Sequence, residues 1–432
     1  MKRIVWSELA PAERLAVLAR PGGRSDPGLK QAVATIVADV QEGGWDALVG
    51  QAERIDGAAP VLVPVTAAAE AARATLSATE LAAIALAIAN IRTFHRASRP
   101  ADVSVETMPG LTVRKLWRPI DRVGLYVPGG ATPLFSTLLM LALPAKAAGV
   151  SELVVMTPPR ADGSLDPLVA LAAELCGIEA IWVVGGAQAI AALAFGTGAI
   201  PRCDKICGPG NAWVAEAKTL VASLPGGPAI DMPAGPSELL VIADARADPA
   251  IVAADLLSQA EHDAQAQVLL ATDSAQLLEA VRGEVQRQLG DLPRHEIASA
   301  SLERARLILC ASLQEAADVA NAYAPEHLSL NVAEAETLLP RIRNAGAVFA
   351  GRQSAETFGD YCAGSSHVLP TDGAARAWSG ISVSSFMKAM TVQQLTDDAA
   401  GAIAPAAAAL ARLEGLEAHA RAADARLATV PA

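Results

Sequence analysis

Val123-Gly124-Leu125-Tyr126-Val127-Pro128-Gly129-Gly130 decides how this chain folds. Five apolar or aromatic residues in a row read as a short buried strand, and Pro-Gly-Gly behind them reads as a turn. Phe135 to Ala148 follows with helical length and apolar spacing. The same unit then repeats. Glu152 to Met156 is a strand and Pro167 to Leu175 a helix. Ile178 to Val184 is a strand ending in Gly185-Gly186, and Gln188 to Phe195 a helix. Asp204-Lys205-Ile206 is a strand, Gly208-Pro209-Gly210-Asn211 a turn, and Ala212 to Val221 a helix. Such alternation demands right-handed crossovers and a parallel sheet. Every glycine turn follows a strand, so the turns gather at the carboxyl edge, where open α/β sheets bind ligands.

Working outward, a second run of the same kind extends from Ser237 to about Gly351. Its predicted strands are Glu238 to Ile242, Val268 to Ala271, Leu307 to Leu309 and Ala347 to Ala350. Its helices are Pro249 to Glu261, Ala275 to Leu289, Leu313 to Ala324 and Ala333 to Ala345. Upstream, Asp26 to Pro100 is helical in pattern: Leu29, Val33, Ile36, Val37 and Val40 recur at helical spacing until Gly43-Gly44, and Ser77-Ala78-Thr79-Glu80 forms a capping box before a second helix. Residues 1–25 read as a polar arm broken by Pro11, Pro21, Gly22 and Gly23. From Phe386 the chain is Ala-rich and helical, with Pro405 opening a helix and Gly415 interrupting it. That tail reads equally as a plain surface helix or as one docked on another chain. The expected architecture is α/β, with two Rossmann-like parallel-sheet domains, a helical N-terminal region and a helical C-terminal tail. The predicted divisions are an arm over 1–25, a discontinuous α/β domain over 26–122 and 237–385, a Rossmann-like domain over 123–236, and a tail over 386–432.

Composition narrows the function. At 432 residues there is room for about three ordinary domains or two large ones. The chain is 52% hydrophobic with only 3% aromatic, which suits helices over parallel sheets. A net charge of −12 argues against nucleic acid or an anionic membrane as partner. No stretch reaches the ~18 uninterrupted apolar residues of a membrane span, and the first residues lack a signal-peptide pattern. Five scattered cysteines read as reduced thiols in a cytoplasmic protein. Cys203 and Cys207 have a loose metal-like spacing, but no second pair completes a zinc site.

Three segments carry the chemistry: Ser258-Gln259-Ala260-Glu261-His262-Asp263, Ala324-Pro325-Glu326-His327-Leu328, and Gly359-Asp360-Tyr361 followed by His367. They hold three of the chain's 6 histidines, each beside an acid or an amide. Any one alone reads as an ordinary core or surface histidine; together they point to one polar site. Gln259 and His262 are three apart in a predicted helix, so both can reach one ion. Asp360 offers an anionic third ligand. That donor set suits a borderline divalent cation such as Zn²⁺, although Gln is an unusual zinc ligand. Glu326 and His327, after the helix stop at Pro325, are adjacent candidates for acid–base work, with His the natural base near neutral pH. His95 and His295 read as surface residues without a role. Gly185-Gly186 and Gly208-Pro209-Gly210 are candidate phosphate turns, but neither is a G-x-G-x-x-G fingerprint.

The chain resembles the histidinol dehydrogenase family over almost its whole length. The specific segments are Val123 to Gly130, Val184 to Thr197, Lys205 to Asn211, Asp231-Met232-Pro233-Ala234-Gly235-Pro236-Ser237-Glu238, Gln259 to His262, Pro325 to Leu328, Gly359-Asp360-Tyr361 and His367-Val368-Leu369-Pro370-Thr371. The resemblance implies that Gln259, His262, Asp360 and His419 hold one Zn²⁺ per subunit and that Glu326 and His327 are catalytic. It implies that Ser237, His367 and Glu414 hold substrate together with the zinc ligands and His327. Tyr126, Gln188 and Asn211 contact NAD⁺, which makes 123–236 the NAD-binding domain. It further implies a homodimer in which the tail bearing Glu414 and His419 reaches the partner's site. Two small departures, Ser365-Ser366 before His367 and Ala264 after Asp263, touch no expected ligand.

The expected activity is oxidation of L-histidinol through bound L-histidinal to L-histidine with two NAD⁺, the last step of histidine biosynthesis. One alternative is a paralogous zinc- and NAD-dependent dehydrogenase of another small polar alcohol. Glu414 and His419 suit a cationic, imidazole-bearing substrate, whereas an anionic one would call for Arg or Lys. The other alternative, a non-catalytic nucleotide sensor, has no reason to keep four ligands and a catalytic pair.

Overall fold

Alternate residues of the quoted stretch serve two different cores, which is why it is apolar throughout. In the computed structural model the strand is Arg122–Tyr126. Val123, Leu125 and Val127 enter one core, while Tyr126 enters the other. A strand buried on both faces cannot alternate apolar with polar residues. Gly124 serves the second core by its smallness, since a Cβ there would come within 2.9 Å of the Leu193 side chain. The structure describes residues 1–20, 27–129, 134–232 and 235–427. Pro21, Gly22, Gly23, Gly130, Pro233 and Ala234, named above in turns and motifs, lie outside them.

The first sheet has the strand order Val61–Pro64, Ala180–Val183, Glu152–Thr157, Arg122–Tyr126, Lys205–Cys207, Ala229–Ile230. All neighbours are parallel except the first pair. Taken from Arg122–Tyr126 onward, the chain lays strands outward on one side and then returns to the other. This is the order of a mononucleotide-binding half, with its switch point between Arg122–Tyr126 and Lys205–Cys207.

The second sheet repeats that design. Its order is Lys2–Val5, Arg306–Leu309, Gln267–Thr272, Glu238–Ala243, His327–Asn331, Ala347–Ala350, all parallel. Two Rossmann-like parallel-sheet units are therefore present. The strand His327–Asn331 was not expected from the sequence. It lies centrally, beside Glu238–Ala243, and converts Glu326-His327 from a helix-end pair into the start of a buried strand.

Three boundaries differ from the sequence reading. The arm over 1–25 is not merely polar: Lys2–Val5 is an edge strand of the second sheet and Pro11–Leu18 a helix. Residues 27–97 belong with the first sheet, not with 237–385. Val61–Pro64 pairs with Ala180–Val183, and Val33, Ile36, Val40, Ile88 and Ile91 join the first sheet's two cores. Hydrophobic spacing shows that a helix has a buried face but not which sheet it covers. Within Pro27–Ile55, Gly44 (φ 58°) is non-helical and separates two helices that meet at a kink, so the first helix ends there as expected. Ser77 caps Ala78–Ala97 as expected, and His95 near its end is buried, not at the surface.

The third difference is an antiparallel sheet of Val103–Met108, Leu111–Pro119 and Met387–Leu395. The tail is thus not helical throughout: it opens with a strand paired on the same chain. Two helices follow, Asp397–Leu413 and Glu417–Leu427, turned back on each other at Gly415 (φ 73°). Arg412 ion-pairs Glu417 and Asp424 across that turn. Ile403, Leu410, Leu413, Leu416 and Leu427 stay exposed, so this hairpin is left with an uncovered apolar face. Among the described residues no helix is long and apolar enough to cross a membrane.

Candidate active site at the amino edge of the second sheet

Glu238 and His327 open adjacent parallel strands, with Glu326 immediately before His327. Parallel pairing in register sets these residues side by side at the amino edge. The sequence reading expected ligands at carboxyl edges, and for this sheet the polar residues gather at the opposite end. Glu326 and His327 are almost fully buried. The backbone of Glu238 orients both. Its N–H donates to Glu326 Oε2 at 2.8 Å, and its carbonyl lies 3.1 Å from His327 Nδ1. A neutral His327 therefore carries its proton on Nδ1, donates it to that carbonyl, and keeps a lone pair on Nε2. Nε2 faces Asp360 Oδ1 at 3.4 Å, and Phe349 stacks on the ring.

The helix Glu356–Tyr361 supplies Asp360 and a residue the sequence reading missed, Glu356. The two are four apart and so share a helix face. Glu356 is 2% exposed and its Oε1 lies 3.4 Å from His327 Nδ1. Donor atoms of His327, Glu356 and Asp360 all lie within 4.8 Å of one another. The spacing from Gly359-Asp360 back to Glu356 was the signal that could have found it.

These groups titrate together. Burial pushes the Glu326 carboxyl up to about 8, against a downward pull from His327. Burial likewise pushes Glu356 up to about 8. Burial would lower His327, but Glu356, Glu326 and Asp360 outweigh it and raise the imidazole well above 6.5. Asp360 goes the other way: burial would raise it, but His327 outweighs burial and holds it below its ordinary value. A cation beside them would release protons, as a metal site does.

The expected metal ligands divide. Gln259 lies in the last turn of Pro249–Ala260, 1% exposed, and neither its Oε1 nor its Nε2 has a hydrogen-bond partner. A buried amide without partners is costly, and a ligand at its oxygen would satisfy it. His262 is not in that helix, which ends at Ala260. It sits in the following turn, its N–H bonded to the Gln259 carbonyl at 3.3 Å, and it is exposed. It is close enough to Asp360 and His327 for their charges to act on it. His262 and Asp360 thus lie near His327, and Gln259 is buried in the last turn of the helix that leads to His262. A donor set of amide oxygen, imidazole and carboxylate with an unsatisfied member fits a zinc ion lacking one ligand.

His367 joins the two units. Its Nδ1 lies 2.9 Å from the Asp360 carbonyl and its Nε2 2.9 Å from Thr137 Oγ1. Ser237 precedes Glu238, its carbonyl accepting from Gln267 N–H. Glu414 and His419 are not brought to this site within one chain. Both are exposed on the tail hairpin, at the turn and on the second helix.

The three expected NAD⁺ contacts lie at carboxyl ends of strands in the first sheet: Tyr126 ends Arg122–Tyr126, Gln188 comes after Ala180–Val183, and Asn211 comes after Lys205–Cys207. Tyr126 is buried, its hydroxyl accepting from Gly186 N–H at 3.1 Å. Gln188 is fully buried, its Nε2 donating to Asp56 Oδ2 at 3.1 Å. Asp56 also accepts from Gly185 N–H at 2.9 Å, a role that nothing in the sequence marked. Asn211 is exposed and caps Ala212–Ser223 through bonds from Trp213 and Val214 N–H. Gly208 (φ 128°) must be glycine, because a Cβ there would sit 2.0 Å from the Tyr126 carbonyl oxygen. Behind that turn the buried Lys218 bonds the Gly208 carbonyl at 2.8 Å and pairs with Asp231. The N-terminus of Ala212–Ser223, behind a strand at the switch point, suits a phosphate.

Comparisons with known proteins agree in one direction. The sequence profile described as histidinol dehydrogenase matches residues 20–427. The histidinol dehydrogenase of Xylella fastidiosa (strain 9a5c) is 50% identical over 432 residues, spanning 100% of each chain. That of Xanthomonas campestris pv. campestris (strain 8004) is 50% identical over 428 residues, spanning 99% of each. The crystal structure of histidinol dehydrogenase from Elizabethkingia anophelis superposes with a TM-score of 0.95 at 40% identity, covering 99% of this chain and 98% of that one.

Proposed function

The chain belongs to the histidinol dehydrogenase family, and on that premise we propose that it oxidises L-histidinol to L-histidine through bound L-histidinal, using zinc and two NAD⁺ in turn. The observation that carries this reading is the pair Glu326-His327, buried and aimed by one backbone residue, beside Asp360 and near His262, with the unsatisfied Gln259 amide three residues before His262. Zinc held by these three and by His419 of the partner subunit would clamp the substrate's nitrogen donors, while NAD⁺ at the first sheet accepts hydride. His327 takes the hydroxyl proton of histidinol at Nε2. After hydration of the aldehyde it takes the proton of the hydrate. Glu326 takes a proton from the water that hydrates the aldehyde. Burial of the pair keeps the aldehyde from bulk water between steps. Ser237, His367 and Glu414 of the partner subunit line the substrate, and Tyr126, Gln188 and Asn211 the cofactor. Family membership supports the last step of histidine biosynthesis as its step and the cytoplasm as its place of action.

NADH formation from L-histidinol by the metal-loaded protein tests the reading, with a chelator as the control. His262→Asn is expected to lower bound zinc and activity together, since it removes one of few ligands. Full zinc occupancy with full activity in that variant would contradict the ligand assignment.

The uncovered tail hairpin supports a homodimer with shared sites. Mixing and re-associating equal amounts of inactive His262→Asn and His419→Asn homodimers is expected to restore activity toward about a quarter of wild type, because about half of the dimers become heterodimers. Each heterodimer would then hold one doubly damaged site and one intact site. No recovery would mean that each site is built from a single chain.

A further inference from the structure

Arg20 lies just past the helix Pro11–Leu18 and governs the catalytic pair from outside it. Its guanidinium binds Glu238 through two of its three nitrogens, Nε to Oε1 and Nη2 to Oε2, the latter at 2.8 Å. Nη2 also donates to the carbonyls of Tyr323 at 2.9 Å and Ala324 at 3.3 Å. The guanidinium carbon sits 3.9 Å from the centre of the Tyr323 ring. The two side chains of the ion pair are 14% and 2% exposed. A planar fork of fixed donors can serve a carboxylate, two carbonyls and an aromatic face at once; an ammonium cannot.

Everything Arg20 grips leads to Glu326 and His327. The Glu238 backbone bonds both side chains. Tyr323 and Ala324 are the backbone from which Pro325, Glu326 and His327 emerge. Glu238 Oε1 also accepts the Asp372 N–H at 2.9 Å, and Arg20 Nε lies 3.7 Å from Asp372 Oδ1. Among the described residues, Ala324 (φ 54°) and Asp372 (φ 59°) are the two non-glycine residues with left-handed backbone. Such backbone persists where its surroundings over-determine it, and both residues abut this one guanidinium.

We propose that Arg20 is a positioning residue of the catalytic pair: it locks Glu238 and the Tyr323–Ala324 turn so that Glu326 and His327 hold their working geometry. The inference rests on the catalytic reading of those two residues.

The test compares zinc-loaded wild type, Arg20→Met, Arg20→Lys, Glu326→Gln and His327→Asn in histidinol and histidinal oxidation. In Arg20→Met, kcat should fall on the order of 10²-fold for both oxidations, the scale of a small misplacement of reacting groups. KM for L-histidinol and NAD⁺ should change little, because the binding residues are untouched. Arg20→Lys should lie between, and guanidinium ion should restore part of the rate to Arg20→Ala but none to His327→Asn. A merely structural role would lower the melting temperature and leave kcat per folded, zinc-loaded site unchanged. That result, with Glu326→Gln and His327→Asn impaired, would overturn the proposal alone. Full activity in those two variants would overturn the reading beneath it. If Arg20→Met does not fold, Glu238→Gln decides by the same kcat criterion, since it loses the ion pair and keeps the backbone bonds.

Discussion

Replacing His327 by alanine is expected to depress both oxidations by roughly 10²–10⁴-fold, the usual scale for losing a general base. One imidazole serves both steps because the Glu238 carbonyl fixes its tautomer and leaves Nε2 open toward Asp360. The pH dependence carries a definite sign. The surrounding carboxylates raise His327 well above 6.5, so it is protonated, and useless as a base, on the acid side. Activity must therefore rise with pH through that ionisation. A cation beside Asp360 offsets one of those negative charges and lowers the limb, so metal loading and the acid limb should move together. His327→Ala should abolish the limb. A variant that keeps the wild-type rate and pH profile would rule the role out.

Glu326→Gln is expected to separate the two half-reactions. Only the second needs an activated water, so histidinal oxidation should fall by about 10²–10⁴-fold while the first hydride transfer is largely kept. The substitution is gentle in structure, since an amide oxygen can still accept the Glu238 N–H that now binds Oε2 at 2.8 Å. Wild type should show an acid limb for histidinal oxidation above the ordinary carboxylate range, because burial pushes Glu326 up to about 8. The base works only when ionised, so activity is lost as pH falls through that value. Single-turnover measurements with histidinol and with histidinal separate the steps, and equal loss in both would contradict the assignment.

How much of this was legible depended on whether the information was local. The two parallel sheets were readable because each strand–turn–helix unit announces itself within about thirty residues. The strand His327–Asn331 was not, because Pro325 marked a helix stop and Ser329 and Asn331 dilute the apolar run, though both are buried. The antiparallel sheet escaped because its third strand, Met387–Leu395, pairs with residues nearly three hundred positions away. The helices of 27–97 showed buried faces without naming the sheet they cover. In the candidate site, Gln259, His262, Asp360, Glu326 and His327 were singled out by residue type and proximity in sequence. Glu356 was missed although its spacing of four from Asp360 could have marked it, and Asp56 because a lone acid has no local signature of what it will face. The catalytic geometry itself, set by the Glu238 backbone and held by Arg20, arises from strand register and a contact 218 residues apart.

The central claim is that one buried pair performs two successive oxidations without releasing the aldehyde. Counting NADH formed per L-histidinol consumed by the zinc-loaded protein, with the product identified, tests it most directly. Two NADH per histidinol, with L-histidine as product and no free histidinal, is the predicted result. One NADH with free histidinal, or none at all, would contradict it.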